Sequence, residues 1–263
     1  MPAEAGAFAR ALAQRELRHF TRVEYHETTR STNADALSKL EAPGSGGLTL
    51  VAGVQTAGAG RRGSRWVAPP GTSLLFTAIL PLPIAASAAW AVPFWAGLCL
   101  ADALERESGV RATLQWPNDL LVGGRKISGI LCISRITGDR AWIGIGVGVN
   151  VHRPANDAAL LEIVPLPVFL DDVADVKSDA RPRLLAAILE RFDHDLGALS
   201  DSGQVARRWE RAAGLPNVPY RFVLDEGAQV EGNPLRLESG GALLVRTADG
   251  ERRVELATAR VLR

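Results

Sequence analysis

Apolar positions in this chain cluster into short dense runs separated by glycine and proline. Runs at about 22–27, 48–54, 73–80, 111–116, 127–135 and 141–151 have the length and β-branched content of strands. Helical spacing appears over about 31–41, 87–108 and 181–199, and residues 4–20 read as a short helix. In the 181–199 segment, Leu184, Leu185, Ile188, Leu189, Phe192, Leu196 and Leu199 fall on one face. Ser31-Thr32 ahead of Asn33-Ala34-Asp35-Ala36-Leu37 reads as a capped helix start. Strands of antiparallel type grouped with helices predict an α+β fold and not a doubly wound sheet.

Pro216 and Pro219 break the pattern, and the residues beyond them differ in kind. Short strands are expected at 220–224, 228–232, 235–237, 242–247 and 251–256, divided by glycine turns that include Asp249-Gly250. These fit a small barrel, so the chain divides into residues 1–214 and 215–263.

Composition narrows the class. The 263 residues are 47% hydrophobic and 22% charged, enough for a sizeable core and against long disorder. A net charge of +1 gives no overall field favouring nucleic acid or an anionic membrane. Cys99 and Cys132 sit in apolar contexts as thiols of a reducing compartment, and His19, His26, His152 and His194 are scattered without metal-ligand spacing. Residues 66–101 carry no charge, but Pro69, Pro70, Pro81, Pro83 and Pro93 interrupt them. That stretch reads as a buried strand, a turn and a core helix, not a membrane span. With acidic Glu4 and no export-type apolar segment at the start, a cytoplasmic location is expected.

Chemistry concentrates in Gly58-Ala59-Gly60-Arg61-Arg62-Gly63-Ser64-Arg65-Trp66. Close glycines let backbone approach a ligand, and guanidinium groups between them bind phosphate or carboxylate. The segment also fits G-x-G-x-x-G, but Trp66-Val67-Ala68-Pro69-Pro70-Gly71 cannot open the helix that a dinucleotide fingerprint requires. It is therefore an anion-binding loop, and a nicotinamide dehydrogenase is a poor reading.

Four further segments accompany it: Ser31-Thr32-Asn33, Gln115-Trp116-Pro117-Asn118-Asp119-Leu120, Gly124-Arg125-Lys126-Ile127-Ser128-Gly129-Ile130-Leu131, and Gly144-Ile145-Gly146-Val147-Gly148-Val149-Asn150-Val151. In this order and spacing the five resemble the biotin protein ligase family, from about Tyr25 to the C-terminus. The resemblance implies a class II synthetase-like biotin/lipoate ligase domain followed by an SH3-like barrel, whose signature Gly240-Gly241-Ala242-Leu243-Leu244-Val245 resembles. Too few residues precede the motifs for the DNA-binding domain of about 60 residues found in some members, so a ligase without repressor function and without a DNA partner is expected.

The implied reaction joins biotin to ATP as biotinyl-5′-AMP, then transfers biotin to a lysine of a carboxyl carrier domain. Neither step needs an enzyme nucleophile; both need anions held together and their charge neutralised. By resemblance Arg61 and Lys126 are the catalytic charges. Ser31, Thr32, Asn33, Gln55, Gly58, Gly60, Lys126 and Gly129 would bind biotin. Arg61, Arg62, Trp66, Asn118 and Asn150 would bind ATP, and Asp119 would hold Mg²⁺ through the phosphates. On local sequence alone, Ser31-Thr32-Asn33 is equally a plain helix cap, Pro-Asn-Asp an ordinary turn, and Lys126 a hairpin lysine after Gly123-Gly124.

The chain departs from the family pattern at Ala59 and Ser64, where arginines are usual, at Gln115 in place of a lysine, and at Ile133 in place of an acid. Arg111, four residues before Gln115 on a strand, or Arg62 is expected to replace the lost charge. A lipoate or octanoate ligase or transferase, and a protein that binds biotin or its adenylate with weak turnover, are the alternatives. The implied protein is a monomer or homodimer.

Overall fold

A period of two governs the strands, and it sorts glycines onto one face of the main sheet. The computed structural model describes residues 3–156, 160, 163, 166–216, 219–225 and 227–262. Its first half runs α1 (Ala3–Ala13), β1 (Arg22–Thr29), α2 (Thr32–Leu37), β2 (Leu48–Gln55), β3 (Ser73–Ile79) and β4 (Ile84–Ala85). Then come α3 (Val92–Ser108), β5 (Thr113–Gln115), β6 (Asp119–Val122), β7 (Arg125–Thr137), β8 (Arg140–Asn150), α4 (Ala180–Asp195) and α5 (Ser202–Ala212). The C-terminal strands are β9 (Tyr220–Leu224), β10 (Gln229–Leu237), β11 (Leu243–Thr247), β12 (Gly250–Val254) and β13 (Ala259–Leu262).

The first eight strands form one sheet in the order β1-β2-β3-β8-β7-β6-β5, with β4 paired to β8. All its pairs are antiparallel except β1–β2, which is parallel. The sheet is therefore mixed: α2 lies in the β1–β2 connection, and a helical crossover lets a strand return in the same direction. The fold is α+β, as expected.

Alternation builds two layers on this sheet. Val51, Leu74, Phe76, Ala78, Ile130, Ile145, Val147 and Val149 join the large core beneath α3 and α4. Leu50 and Ile79, their neighbours in sequence, point the other way and pack with Ala36 and Leu40 around α2. On β8 the residues between the core valines and isoleucines are Gly144, Gly146 and Gly148, so that face carries almost no side-chain volume.

The segment Ala86–Ser108 is long and apolar enough to cross a membrane by length and composition. Here it packs into the core: Phe94, Trp95, Ala96, Cys99, Leu100, Ala103 and Leu104 are buried against the sheet and α4. Pro93 sits in its first turn, where the missing N–H costs nothing, and left-handed Gly109 (φ 73°) closes it.

Several boundaries differ from the sequence expectation. The N-terminal helix stops at Ala13 and not near 20, because the chain leaves it to bury Phe20 beside Phe192, ring centres 5.8 Å apart. The second helix is shorter than 31–41, ending at Leu37 ahead of the turn around Pro43-Gly44. The 181–199 helix is α4 followed by a 3-10 turn, Leu196–Ser200. Helix α5 was not expected. Its buried stripe is only Val205, Ala206 and Trp209 among charged residues, and Asp201 caps it by accepting from the Gln204 N–H at 2.9 Å.

The second sheet, order β12-β11-β10-β9-β13, is antiparallel throughout and fits the small C-terminal β unit read from the sequence. The separate strands expected at 228–232 and 235–237 are one strand, β10, with a register shift between Pro234 and Arg236. Strand β13 was missed. The core is continuous across both sheets: Trp116 packs edge-on against Phe222 (5.9 Å) and donates through Nε1 to the Gly241 carbonyl at 2.9 Å.

Phe192 tests the helix–sheet core. It is fully buried, stacked on Trp95 at 4.9 Å. Phe192→Ala is expected to destabilise the protein by about 3–5 kcal/mol in denaturant unfolding. A loss below ~1 kcal/mol would mean that this aromatic stack is not a packing centre.

Candidate functional site

The glycine face is the floor of a cavity of about 570 Å³. Gly129 on β7 lies opposite Gly148 on β8, Leu131 opposite Gly146, and Thr77 on β3 beside Gly146. Side chains from elsewhere lie directly on this bare backbone. A Cβ on Gly148 would stand 2.5 Å from the Trp66 ring, and one on Gly146 would stand 2.2 Å from Asn33 Oδ1. A Cβ on Gly129 would meet the Lys126 side chain at 2.9 Å and Trp66 at 3.1 Å. Each approach requires glycine for contact, not for an unusual φ.

One end of the cavity is neutral and polar. Gln55 Oε1 accepts from the Thr32 backbone N–H at 2.7 Å and its hydroxyl at 3.1 Å. Asn33 Nδ2 donates to the Leu131 carbonyl at 3.0 Å. Thr77 Oγ1 lies 2.8 Å from both Thr32 Oγ1 and Asn33 Oδ1 and joins the two arms. Ser31 holds the extended backbone of a cap residue at the start of α2, but its side chain makes no capping hydrogen bond. The capping alternative is thus only half realised: the backbone starts the helix while the hydroxyl lines the cavity.

The other end is charged. Lys126 Nζ lies 2.5 Å from Asp119 Oδ1 and 5.4 Å from the Trp66 ring centre. Burial, with a further push from Arg61, lowers the Lys126 pKa to about 8 even with Asp119 alongside. Asn118 Nδ2 donates to the Ile130 carbonyl at 2.6 Å and fixes the turn that carries Asp119.

The glycine–arginine loop folds back as a hairpin. Gly60 N donates to Ser64 O at 2.7 Å, Trp66 N to Gly58 O at 3.0 Å, and Ala59 bridges Arg65. Arg62 has φ 55°, a left-handed conformation that costs a residue with a Cβ about 1–2 kcal/mol. Its guanidinium pairs with Asp225 and donates to the Ala257 carbonyl at 3.2 Å. Arg61 donates to the Leu256 carbonyl, and burial and then Arg62 lower its pKa. The loop is therefore tied to the C-terminal sheet, whose residues Val223, Leu224, Asp225, Gly227 and Val261 wall the same cavity.

Of the residues singled out from sequence, Ser31, Thr32, Asn33 and Gln55 gather at the polar end. Gly60, Arg61, Arg62 and Trp66 line the loop side, and Asn118, Asp119, Lys126 and Gly129 the sheet side. Two lie outside the lining. Gly58 is packed beneath Trp66 and Gln55, where a Cβ would stand 2.7 Å and 3.3 Å away. Asn150 is buried and donates to the Lys126 and Val168 carbonyls at 3.2 and 3.3 Å, so it positions the lysine's backbone from behind.

Arg111 does not replace the charge lost at Gln115. Its side chain is 85% exposed and pairs with Glu105 at 2.6 Å, away from the cavity lining. Strand β5 begins only at Thr113, so the strand alternation invoked for Arg111 does not reach it.

Thr77 was missed, although a threonine inside the apolar stretch 74–79 of β3 is a signal for it. Asp225 was also missed; nothing in its local sequence ties it to a loop more than 160 residues earlier. Among the described residues no three His, Cys, Asp or Glu side chains cluster as a metal site. Asp119, one carboxylate already beside an ammonium, fits a cation carried in on phosphates and not a resident one.

The model of the biotin/lipoate A/B protein ligase family matches residues 25–150. The bifunctional ligase/repressor BirA of Salmonella typhimurium is 36% identical over 220 residues, 82% of this chain and 66% of that protein. The biotin–[acetyl-CoA-carboxylase] ligase of Paracoccus denitrificans is 44% identical over 138 residues, 51% of this chain and 56% of the relative. The chain thus spans under two thirds of the length of these relatives. A biotin protein ligase from Aquifex aeolicus, solved with biotin and ATP, shares the fold at a TM-score of 0.72 and 22% identity, covering 92% of this chain and 99% of that one.

Breaking the Arg62–Asp225 tie is expected to free the loop. Asp225→Asn removes the counter-charge that helps hold Arg62 in its left-handed conformation, so trypsin should cut within residues 61–65 several-fold faster than in the parent. An unchanged rate would show that the C-terminal sheet does not hold the loop.

Proposed function

We propose that this chain, which belongs to the biotin/lipoate A/B protein ligase family, is a biotin protein ligase that activates biotin with ATP and transfers it to a carrier lysine. The observation that carries the reading is the pairing, in one cavity, of a neutral hydrogen-bonding end with a cationic end across a flat floor. Biotin's ureido ring, with one carbonyl and two N–H groups, suits the Ser31, Thr32, Asn33 and Gln55 end. Its valeryl chain would cross Gly129, and its carboxylate would reach Lys126 and Arg61. The closed end is lined by hydroxyl and amide groups, and leaving those unpaired disfavours a purely aliphatic lipoyl or octanoyl chain.

In the first step a carboxylate oxygen attacks the α-phosphorus of ATP and the bond to the β-phosphate oxygen breaks, its electron pair leaving with pyrophosphate. Lys126 and Arg61 hold the two anions together against their repulsion and receive the charge that builds on the phosphoryl oxygens. Asn118 and Arg62 would serve the phosphates and Trp66 would flank the adenine. Asp119 would be the single carboxylate for Mg²⁺, which when bound supplies further neutralisation of phosphate charge.

In the second step a lysine amine of a carboxyl carrier domain attacks the acyl carbon, AMP leaves, and the amine gives up a proton. No protein nucleophile takes part. Both cysteines are held as thiols by burial, with Cys132 pushed up to about 12. Residues 1–214 act as the catalytic unit and 215–263 as a small barrel that closes the nucleotide side. Unpaired thiols suit a reducing cytoplasm.

Biotin-dependent exchange of labelled pyrophosphate into ATP tests the first step without a carrier. Lys126→Ala is expected to lower exchange by about 10²–10³-fold in a protein that still folds, with some loss of unfolding midpoint because buried Asp119 loses the ammonium beside it. Because Lys126 titrates near 8 and its charged form binds the carboxylate, kcat/KM for biotin should fall as pH rises through about 8. Bound anions favour the ammonium, so the fall in kcat should lie at higher pH. Exchange supported by octanoate and not by biotin, or a fully active Lys126→Ala protein, would overturn the reading.

A further inference from the structure

Four cationic side chains line the cavity: Arg61, Arg62, Arg65 and Lys126. Three are already engaged. Lys126 is paired with Asp119, Arg62 with Asp225, and the Arg61 guanidinium donates to the Leu256 carbonyl. Asp119 and Asp225 are the acids of the lining, and each already faces one of these cations. Among the described residues the Arg65 side chain has no hydrogen-bond or ion-pair partner, and it is exposed at the cavity mouth.

Its backbone, by contrast, is fixed. Arg65 bridges Ala59 across the loop hairpin, which the Gly60–Ser64 and Trp66–Gly58 hydrogen bonds hold on either side. The Ser64 hydroxyl donates to the Arg61 carbonyl at 2.8 Å and tightens the same turn. A guanidinium with a fixed root and no internal partner loses little when it takes an anion from solvent.

Resting on the ligase reading above, we propose that Arg65 is a substrate-contacting residue for the leaving pyrophosphate, the β- and γ-phosphates of ATP. The α-phosphate must lie by the buried Lys126, where the carboxylate attacks. In an in-line displacement the leaving group then lies on the far side of the α-phosphorus, toward the open mouth. Arg65 is the cation at that mouth with its charge uncommitted. It stands in the segment where Ser64 and Ala59 supply no charge, and the described lining holds no other unengaged cation. A bidentate guanidinium matches two phosphate oxygens, so Arg65 both helps to hold the triphosphate and steadies the departing charge.

The test runs the step backwards. Protein loaded with biotinyl-5′-AMP is mixed with inorganic pyrophosphate, and ATP formation is followed against pyrophosphate concentration. Arg65→Ala should raise the half-saturating pyrophosphate concentration about tenfold or more, with Arg65→Lys between it and the parent. Affinity for biotin and for biotinyl-5′-AMP, measured by calorimetry on the same variants, should stay within about twofold, because neither ligand carries the β- and γ-phosphates. An unchanged pyrophosphate dependence would mean that Arg65 is a solvated loop arginine. A parallel loss of biotinyl-5′-AMP affinity would place it on the nucleotide's AMP half; either result overturns the inference. If the parent protein binds no biotinyl-5′-AMP at all, it is the ligase reading that fails, and that outcome is distinct from both.

Discussion

A strip of β-sheet without side chains underlies everything the site does. Gly146 and Gly148 on β8 and Gly129 on β7 leave bare backbone in the middle of an otherwise well-packed sheet. Their sequence neighbours Ile145, Val147, Val149 and Ile130 fill the opposite face and anchor it to the helical core. The alternation therefore does two jobs from one segment: it supplies core volume on one side and a flat, open platform on the other. Asn33, Trp66 and Lys126 reach their positions only because nothing stands on that platform.

Charge is arranged with the same economy. On the proposed reading the cavity accepts a carboxylate and a triphosphate, yet a cluster of uncompensated cations would repel itself before any anion arrived. The protein holds Lys126 against Asp119 and Arg62 against Asp225, and it ties Arg61 to a neutral carbonyl. Incoming anions then exchange for weaker internal partners. Two of those partners come from the C-terminal strands and their turns, so the smaller sheet belongs to the site and is not an appended module.

Much of this was legible in the sequence. The period-two runs give most strands of the main sheet, and the five motifs name residues that the fold brings to one cavity. Local signals failed where tertiary context decides. Helix α5 hides a narrow apolar stripe among charges, and β10 runs through Pro234 by shifting register. The parallel β1–β2 pair depends on where α2 sits, which apolar periodicity does not report. Asn150 lies in a motif but faces the back of the Lys126 turn, and Arg111 lies near Gln115 in sequence but points to solvent. Asp225 belongs to the site through a contact that no motif spacing encodes.

The most direct measurement adds one methyl group to the platform. In Gly146→Ala the new Cβ would stand 2.2 Å from Asn33 Oδ1 and 2.6 Å from its Nδ2, so the amide must leave Thr77 and the Leu131 carbonyl. Titration calorimetry should then show biotin binding at least tenfold weaker, the cost of losing roughly one to two buried hydrogen bonds. The thermal midpoint should fall by only a few degrees, because the two hydrogen bonds lost are internal to the folded protein while the packing of the core face is untouched. Biotin affinity equal to that of the parent protein would contradict the account that the bare strip and the amide lying on it form the ligand's seat.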